Sequence, residues 1–190
     1  MDSRVSPLAA VSFLWLVWVV SWAAAAFWSD RTVKRAAPTR EVPYSIMAGI
    51  GAVLLFGSYH HSMVLWRIGR GAAWCMVVLA AIGFMFSWWA RIHLGRMWSR
   101  WIVRKADHHI VQTGPYALVR HPIYTGIILA TLSTAVVIGT AFAYLGAVLM
   151  ILSWYIKARL EERFLREELG AGDYDTYVRR VPMLVPFLRI

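Results

Sequence analysis

Long stretches without a charged residue constrain this chain more than any other feature. They run over residues 8–28, 42–66, 71–90 and 122–156. A helix needs about 20 predominantly apolar residues to cross a bilayer, and each of the first three stretches meets that length. The overall composition agrees, because 59% of the residues are hydrophobic and only 16% are charged. The sequence therefore predicts an integral membrane protein rather than a soluble domain.

The fourth stretch has 35 residues, which fit either one very long span or two short spans folded back at Gly139-Thr140. Two spans would place 17 of the 20 Lys and Arg residues on one face of the membrane, with Arg4, Arg67 and Arg70 on the other. Because basic loops favour the cytoplasmic side, this division supports two spans. We predict an all-α protein of the inner or plasma membrane with five transmembrane helices. The last two form a hairpin, the N-terminus lies outside, and the C-terminus lies in the cytoplasm.

The net charge of +10 raises the question of which partner it attracts. Since the cations lie between apolar runs, we interpret them as contacts for anionic lipid headgroups and determinants of topology, and we predict no nucleic-acid partner. Cys75 is the single cysteine, so the chain can form no internal disulfide. The adjacent His108 and His109 do not share a helix face, and we predict no metal site.

The first apolar stretch has two interpretations. The small residues at 23–26 resemble a signal-peptide cleavage site, but the run is long and the residues before it are not a basic cluster. We therefore predict a transmembrane helix. Trp15, Trp18 and Trp22 recur at helical spacing, which is typical of a surface facing lipid or packing on another helix. This first span is expected to lie apart from any chemistry.

A basic segment follows the third span. Arg96, Arg100 and Arg104 recur every four residues, and Met97 and Trp98 supply apolar neighbours. The pattern predicts an interfacial amphipathic helix in the headgroup layer. Such a helix would serve either as an anchor or as a guide for an anionic lipid substrate.

Two polar clusters are predicted to meet on the cytoplasmic face. Pro122 favours an extended His121 and suits the first turn of the following helix, so Arg120 and His121 should lie at a helix N-terminus. Free N–H groups at such an end favour anionic ligands. Glu161 and Glu162 continue the last span out of the membrane as a charged helix. That helix is either a solvated face with its own ion pairs, such as Arg163 with Glu167, or part of a binding site.

Two motifs in the C-terminal half carry a family resemblance. The first comprises these residues: His108-x-Ile110-Val111-x-x-Gly114-x-Tyr116-x-x-x-Arg120-His121-Pro122-x-Tyr124-x-Gly126. The second comprises Arg159-x-Glu161-Glu162-x-x-Leu165 and then Tyr174-x-x-Tyr177-x-x-x-Val181-Pro182-x-x-x-Pro186-Phe187. Together they resemble the isoprenylcysteine carboxyl methyltransferase and phospholipid methyltransferase superfamily. The second is most similar to the carboxyl methyltransferases.

The resemblance implies a membrane enzyme that uses S-adenosylmethionine, held between the fourth and fifth helices and the C-terminal segment. Carried over by position, the implied cofactor-binding residues are His108, Gln112, Gly114, Tyr116, Val119, Arg120, His121, Tyr124 and Glu162. The implied catalytic residues are Arg120, His121, Glu161 and Glu162. Residues 1–70 would form a two-helix membrane region, and residues 71–190 the catalytic core with its cofactor-binding C-terminal segment.

The methyl acceptor is a separate question. The closest resemblance implies O-methylation of an isoprenylcysteine-like carboxylate, which is ionised near neutral pH and needs no strong base. N-methylation of a phospholipid amine is the alternative, and it would require a proton acceptor such as Glu161, Glu162 or His121. A non-catalytic lipid-binding membrane module and a sterol-type reductase with a nicotinamide cofactor also remain open, as does the oligomeric state.

Overall fold

The structure is a computed structural model that describes residues 5–27, 32–35, 38–57, 63–99, 103–105, 110–169 and 171–188. Within these ranges the chain is predominantly helical. The α-helices are α1 (Pro7–Ala25), α2 (Pro38–Gly57), α3 (Arg70–Leu94), α4 (Pro122–Ile138), α5 (Ala141–Leu169) and α6 (Ala171–Arg180). Two 3₁₀ turns cover Gly95–Met97 and Gly114–Ala117, and two short strands are β1 (Thr32–Arg35) and β2 (Val103–Lys105).

The five long helices follow the predicted apolar stretches. Helices α1, α3 and α5 are long and apolar enough to cross a membrane, whereas α2 and α4 are shorter apolar helices. The predicted hairpin between α4 and α5 is confirmed, with its turn at Gly139 and Thr140. The second helix is shorter than predicted because α2 ends at Gly57, and residues 63–69 run without helix. That all five cross the membrane stays a prediction.

One end of the bundle collects the basic connections. Arg91, near the C-terminal end of α3, is fully buried. Its guanidinium donates to the carbonyl oxygens of Ala25 at 2.8 Å and Gly95 at 2.6 Å. The strands β1 and β2 pair antiparallel at this end, and the C-terminal segment joins it through a hydrogen bond from the amide of Arg120 to the carbonyl of Pro182. The three most basic segments therefore lie at one end of the bundle, which agrees with the charge pattern.

The opposite end of the bundle is formed by the α2–α3 and α4–α5 connections. The amide of Leu65 donates to the carbonyl of Gly139 at 2.8 Å, and the amide of Ala141 donates to the carbonyl of Met63 at 3.0 Å. Val64 and Thr140 form an isolated β-bridge between the same segments. The helices thus alternate in direction, and the side of the membrane that each end faces stays a prediction.

Close packing of α3 on α4 explains the last glycine of the first motif. A Cβ atom at Gly83 would lie 2.5 Å from the carbonyl oxygen of Gly126, and one at Gly126 would collide with the backbone of Gly83. The hydroxyl of Ser87 donates to the carbonyl of Ile123 at 3.0 Å across the same interface. Gly126 therefore serves helix contact, which positions the start of α4 beside α3.

The tryptophan stripe of α1 packs inward. The indole N–H of Trp15 donates to the hydroxyl of Thr134 at 2.9 Å, and the ring centroids of Trp15 and Phe84 lie 4.9 Å apart. Trp22 contacts Trp98 at 5.7 Å. Helix packing, one of the two predicted roles of the stripe, is confirmed. The outer surfaces of the helices expose apolar side chains such as Phe13 and Met85, which suits contact with lipid. The chain is a multi-pass membrane protein.

The predicted interfacial helix after the third span is wrong for the described residues. Gly95 ends α3 with a positive φ of 59°, and only a 3₁₀ turn follows. Further along, the backbone of β2 pairs with β1 rather than closing helical hydrogen bonds. Arg100 lies outside the described residues. Pairing with a strand distant in sequence overrides the four-residue spacing of the arginines, which made a helix the local expectation.

Candidate active site

Arg120 stands at the centre of a buried polar cluster just before α4. Its Nε donates to Glu162 Oε1 at 2.7 Å, and both side chains are less than a tenth exposed. Its Nη1 donates to the carbonyl oxygens of Val178 at 3.2 Å and Val181 at 2.6 Å. Charge-assisted bonds of this kind are strong and directional. Arg120 therefore joins α5 to the C-terminal segment.

His121 lies between the two neighbouring carboxylates of α5. It lies at the N-terminus of α4, as predicted, but its ψ of 63° is not the extended geometry that Pro122 led us to expect. Its amide donates to the carbonyl of Met183 at 3.1 Å. Its Nε2 lies 3.1 Å from Glu162 Oε1, and its Nδ1 lies 3.6 Å from Glu161 Oε2. The imidazole is thus held at Nε2 by a hydrogen bond to Glu162, and its Nδ1 faces Glu161.

An aromatic stack continues from this histidine into the bundle. The rings of His121 and Tyr124 are stacked with centroids 5.5 Å apart, and Tyr124 stacks on Trp154 at 5.1 Å. The hydroxyl of Tyr124 donates to Glu161 Oε1 at 2.6 Å. Glu161 is therefore oriented by a phenol, whereas Glu162 is oriented by Arg120 and His121.

Lys157 is a site residue that the sequence analysis missed. Its side chain is buried, and its Nζ lies 4.0 Å from Glu161 Oε1. The same ammonium lies 5.5 Å from the ring of Tyr124 and 5.6 Å from that of Trp154, within the range of cation–π attraction. The sequence signal that could have identified it is its spacing of four residues from Glu161, which places both on one helix face.

The C-terminal segment closes over this cluster. The hydroxyl of Tyr177 on α6 donates to the carbonyl of Tyr116 at 2.7 Å, and the hydroxyl of Thr125 donates to the carbonyl of Leu184 at 2.6 Å. Burial raises the pKa of the Tyr177 and Tyr116 phenols, so both remain neutral in the ordinary pH range. A neutral Tyr177 hydroxyl keeps its proton to donate to Tyr116.

A cavity of about 640 Å³ lies against the cluster. Among the predicted site residues it is lined by Tyr116, Arg120, His121, Tyr124 and Glu161. Lys157 and Trp154 also line it, as do residues of α1 and α2 that include Trp18, Trp22 and Tyr44. The expectation that the first span lies apart from the site is therefore wrong, because its tryptophan stripe forms part of this wall.

The other predicted site residues lie elsewhere. Glu162 lies behind the cavity wall, against Arg120 and His121. Gln112 accepts a hydrogen bond from Arg180 at 3.3 Å, and Val119 is fully buried. Gly114 adopts a positive φ of 58°, and a Cβ there would meet the ring of His93.

His108 lies outside the described residues. Within the part of the chain that the structure describes, no group of three or more His, Cys, Asp or Glu side chains is placed to hold a metal ion.

Comparison with known proteins gives a family match over α3, α4 and most of α5, which form part of this cavity. The model of the isoprenylcysteine carboxyl methyltransferase family matches residues 73–167. The chain is 29% identical over 102 residues to protein-S-isoprenylcysteine O-methyltransferase B of Arabidopsis thaliana, covering 52% of this chain and 51% of the relative. It is also 29% identical over 102 residues to protein-S-isoprenylcysteine O-methyltransferase of Schizosaccharomyces pombe, covering 52% of this chain and 43% of the relative.

A third relative carries a different name. The nickel-cobalt-cadmium resistance protein NccN of Alcaligenes xylosoxydans xylosoxydans is 26% identical over 127 residues, which cover 62% of this chain and 54% of the relative. The chain thus spans about half the length of the relatives it matches. The family match runs from α3 through most of α5 and includes Arg120, His121 and both glutamates. The chain belongs to the isoprenylcysteine carboxyl methyltransferase family.

Proposed function

We propose that this protein is an S-adenosylmethionine-dependent membrane methyltransferase that methylates the carboxylate of a lipophilic, isoprenylcysteine-like acid. The observation that carries the proposal is the 640 Å³ cavity, in which Arg120, His121, Glu161 and Lys157 meet a wall of aromatic and aliphatic side chains. A cavity with a few convergent polar groups and apolar walls is the usual form of a site for a lipophilic substrate.

The groups that line the cavity fit the cofactor. S-adenosylmethionine supplies a methyl group activated by a sulfonium centre. The rings of Trp18 and Trp22, which line the cavity, suit a cationic centre and an adenine ring. The carboxylate of Glu161 suits ribose hydroxyls or an ammonium group. The indole N–H of Trp154 is buried and has no hydrogen-bond partner among the described residues, so it offers a donor to an anionic group.

Lys157 favours a carboxylate as the methyl acceptor. An ammonium group on the cavity wall attracts an anionic substrate and disfavours a protonated amine at the same place. A carboxylate is ionised near neutral pH, and it can attack without first losing a proton. The chain's contribution is then to hold the acceptor in line with the methyl group and to exclude water. Such positioning can remove a large part of the activation barrier of a displacement reaction.

Glu162 is assigned a positioning role. It holds Arg120 and His121 through bonds of 2.7 and 3.1 Å, and it does not line the large cavity. Arg120 in turn secures the C-terminal segment at the carbonyls of Val178 and Val181. Loss of Glu162 would release the side chains of Arg120 and His121 and loosen the segment that covers the site.

The first test is calorimetric titration of S-adenosylmethionine, and separately of NADPH, into the detergent-purified protein. We expect saturable binding of S-adenosylmethionine that weakens at least tenfold in Arg120→Ala and Glu162→Ala, because each loses a buried charged partner. Arg67→Ala is the matched control, since Arg67 is exposed and lies near the opposite end of the bundle. Binding of NADPH instead would favour the reductase. No binding to folded protein would favour a lipid-binding module.

The second test distinguishes a carboxylate from an amine as the methyl acceptor. Transfer of a labelled methyl group is measured to an S-farnesylcysteine derivative with a free carboxylate and, in parallel, to phosphatidylethanolamine. The proposal predicts base-labile label on the farnesylated acid, as expected for a methyl ester. Label on phosphatidylethanolamine alone would replace the carboxyl assignment with amine methylation.

A further inference from the structure

A second cavity, of about 390 Å³, shares Arg120 with the first but differs in its walls. Its charged lining residues are Arg120, Arg159, Glu162, Arg163, Arg166 and Arg179. Five guanidinium groups thus surround a single carboxylate. Arg159, Arg163 and Arg166 are spaced four and three residues apart on α5, so they project from one helix face towards α6.

Two acidic side chains that the structure describes at this cavity are already engaged. Glu162 is bound by Arg120 and His121. Asp175 pairs with Arg166 at 2.8 Å, but that pair is largely exposed and therefore weak.

Three of the arginines lack an acidic partner among the described residues. Arg179 donates to the hydroxyl of Thr176 at 3.0 Å, whereas the side chains of Arg159 and Arg163 make no hydrogen bond or ion pair with any residue that the structure describes. The ion pair of Arg163 with Glu167, which the sequence allowed, is not formed. Like charges one turn apart on a helix repel each other, so an external anion would lower the energy of this arrangement.

The cavity adjoins the predicted membrane boundary. Arg159 comes three residues after Ile156, the end of the uncharged stretch that forms most of α5. Arg163 and Arg179 are exposed rather than covered by protein. Basic groups at this boundary are attracted to anionic phospholipids. A guanidinium group also matches a phosphate in geometry, because it donates two parallel hydrogen bonds.

We propose that this second cavity binds a phosphate group, supplied either by the headgroup of an anionic phospholipid or by soluble phosphate. Its position beside the membrane boundary favours the lipid headgroup. The site is independent of the proposed methyl transfer, because binding there requires neither the cofactor nor a methyl acceptor. Since Arg120 lines both cavities, a phosphate in the second cavity lies next to the residue that secures the C-terminal segment.

The experiment uses the full chain in detergent and measures binding by microscale thermophoresis. Dihexanoyl phosphatidylglycerol, dihexanoylglycerol and inorganic phosphate are titrated separately. We expect saturable binding of the phosphatidylglycerol and none of the phosphate-free lipid. Binding of inorganic phosphate with equal affinity would assign the site to soluble phosphate. Weaker binding of inorganic phosphate would assign it to the lipid headgroup.

Two matched double variants separate the cavity from general surface charge. Arg159→Gln with Arg163→Gln should weaken phosphatidylglycerol binding about tenfold or more, because two charge-assisted contacts are lost. Arg67→Gln with Arg70→Gln removes the same charge away from the cavity and should change the affinity less than twofold. Equal weakening by both pairs would overturn the proposal, as would the absence of saturable binding by either phosphate probe. If the first pair does not fold, Arg163→Gln alone provides the test with a smaller expected loss.

Discussion

The two cavities that meet at Arg120 are built from neighbouring residues yet differ in character. The larger cavity is walled by aromatic rings, and its charged groups Lys157 and Glu161 are held against those rings. The smaller cavity is walled by arginines. Glu161 lines the first and Glu162 the second, because consecutive residues of a helix project about 100° apart. The Glu-Glu pair of the motif therefore contains one residue that faces the proposed chemistry and one that holds the architecture together.

Removing the shared residue should have the largest effect. Arg120→Ala breaks a buried ion pair and two hydrogen bonds to the C-terminal segment. We expect the free energy of unfolding to fall by about 3–5 kcal/mol, because the carboxylate of Glu162 is left buried with one cationic partner fewer. Chemical denaturation in detergent measures this loss. Arg163→Ala, at an exposed position, should cost less than about 0.5 kcal/mol. Similar losses in both variants would show that Arg120 does not link the cavities.

Substitution of the two glutamates should affect different properties: Glu161 the affinity for S-adenosylmethionine, and Glu162 the stability of the fold. Glu162→Gln leaves Arg120 without its carboxylate and should lower the free energy of unfolding by about 3 kcal/mol. Glu161→Gln keeps an oxygen to accept the proton of Tyr124 but removes the carboxylate that lies 4.0 Å from Lys157, so stability should fall by less than in Glu162→Gln. Its affinity for S-adenosylmethionine should fall about tenfold, because a charged contact is lost. Thermal melting and calorimetric titration of both variants give the comparison, and the converse pattern would exchange the two roles.

How much of this arrangement the sequence predicts depends on how far apart along the chain the contacting residues lie. The α4–α5 turn at Gly139 follows from the distribution of basic residues along the chain, and the place of His121 at the N-terminus of α4 follows from Pro122; both are confirmed. The β1–β2 pair, by contrast, depends on contact between residues about 70 positions apart, so the arginine spacing after α3 misled the prediction. The place of Trp18 in the cavity wall likewise depends on how helices pack, which neither periodicity nor motif encodes. For Lys157 the sequence offers one signal, its spacing of four residues from Glu161.

Lys157 tests whether the larger cavity is built for an anion. Lys157→Met keeps the length of the side chain but removes the ammonium group. We expect KM for a farnesylated acid to rise about tenfold, while the affinity for S-adenosylmethionine is unchanged. Arg159→Met is the matched control, since it removes a cation two residues along the same helix and outside this cavity. An unchanged KM in Lys157→Met, or an equal rise in Arg159→Met, would contradict selection of the acceptor by Lys157.

The smallest expected effect concerns how α6 is held over the site. Tyr174 and Tyr177 are both buried, but only the Tyr177 hydroxyl donates to another described residue, the carbonyl of Tyr116. Tyr177→Phe should therefore cost about 1 kcal/mol, whereas Tyr174→Phe should cost less than about 0.5 kcal/mol.

Denaturation across an alkaline pH series provides a second test of Tyr174 and Tyr177. Burial raises the pKa of both phenols above the ordinary 10.0, so their contribution to stability is complete below that pH and is lost as the pH rises through the raised pKa. Each Phe variant should remove part of that alkaline loss, because it removes one titrating phenol. Equal costs for the two variants near neutral pH would mean that packing, rather than the Tyr177 hydrogen bond, holds α6 against the loop before α4.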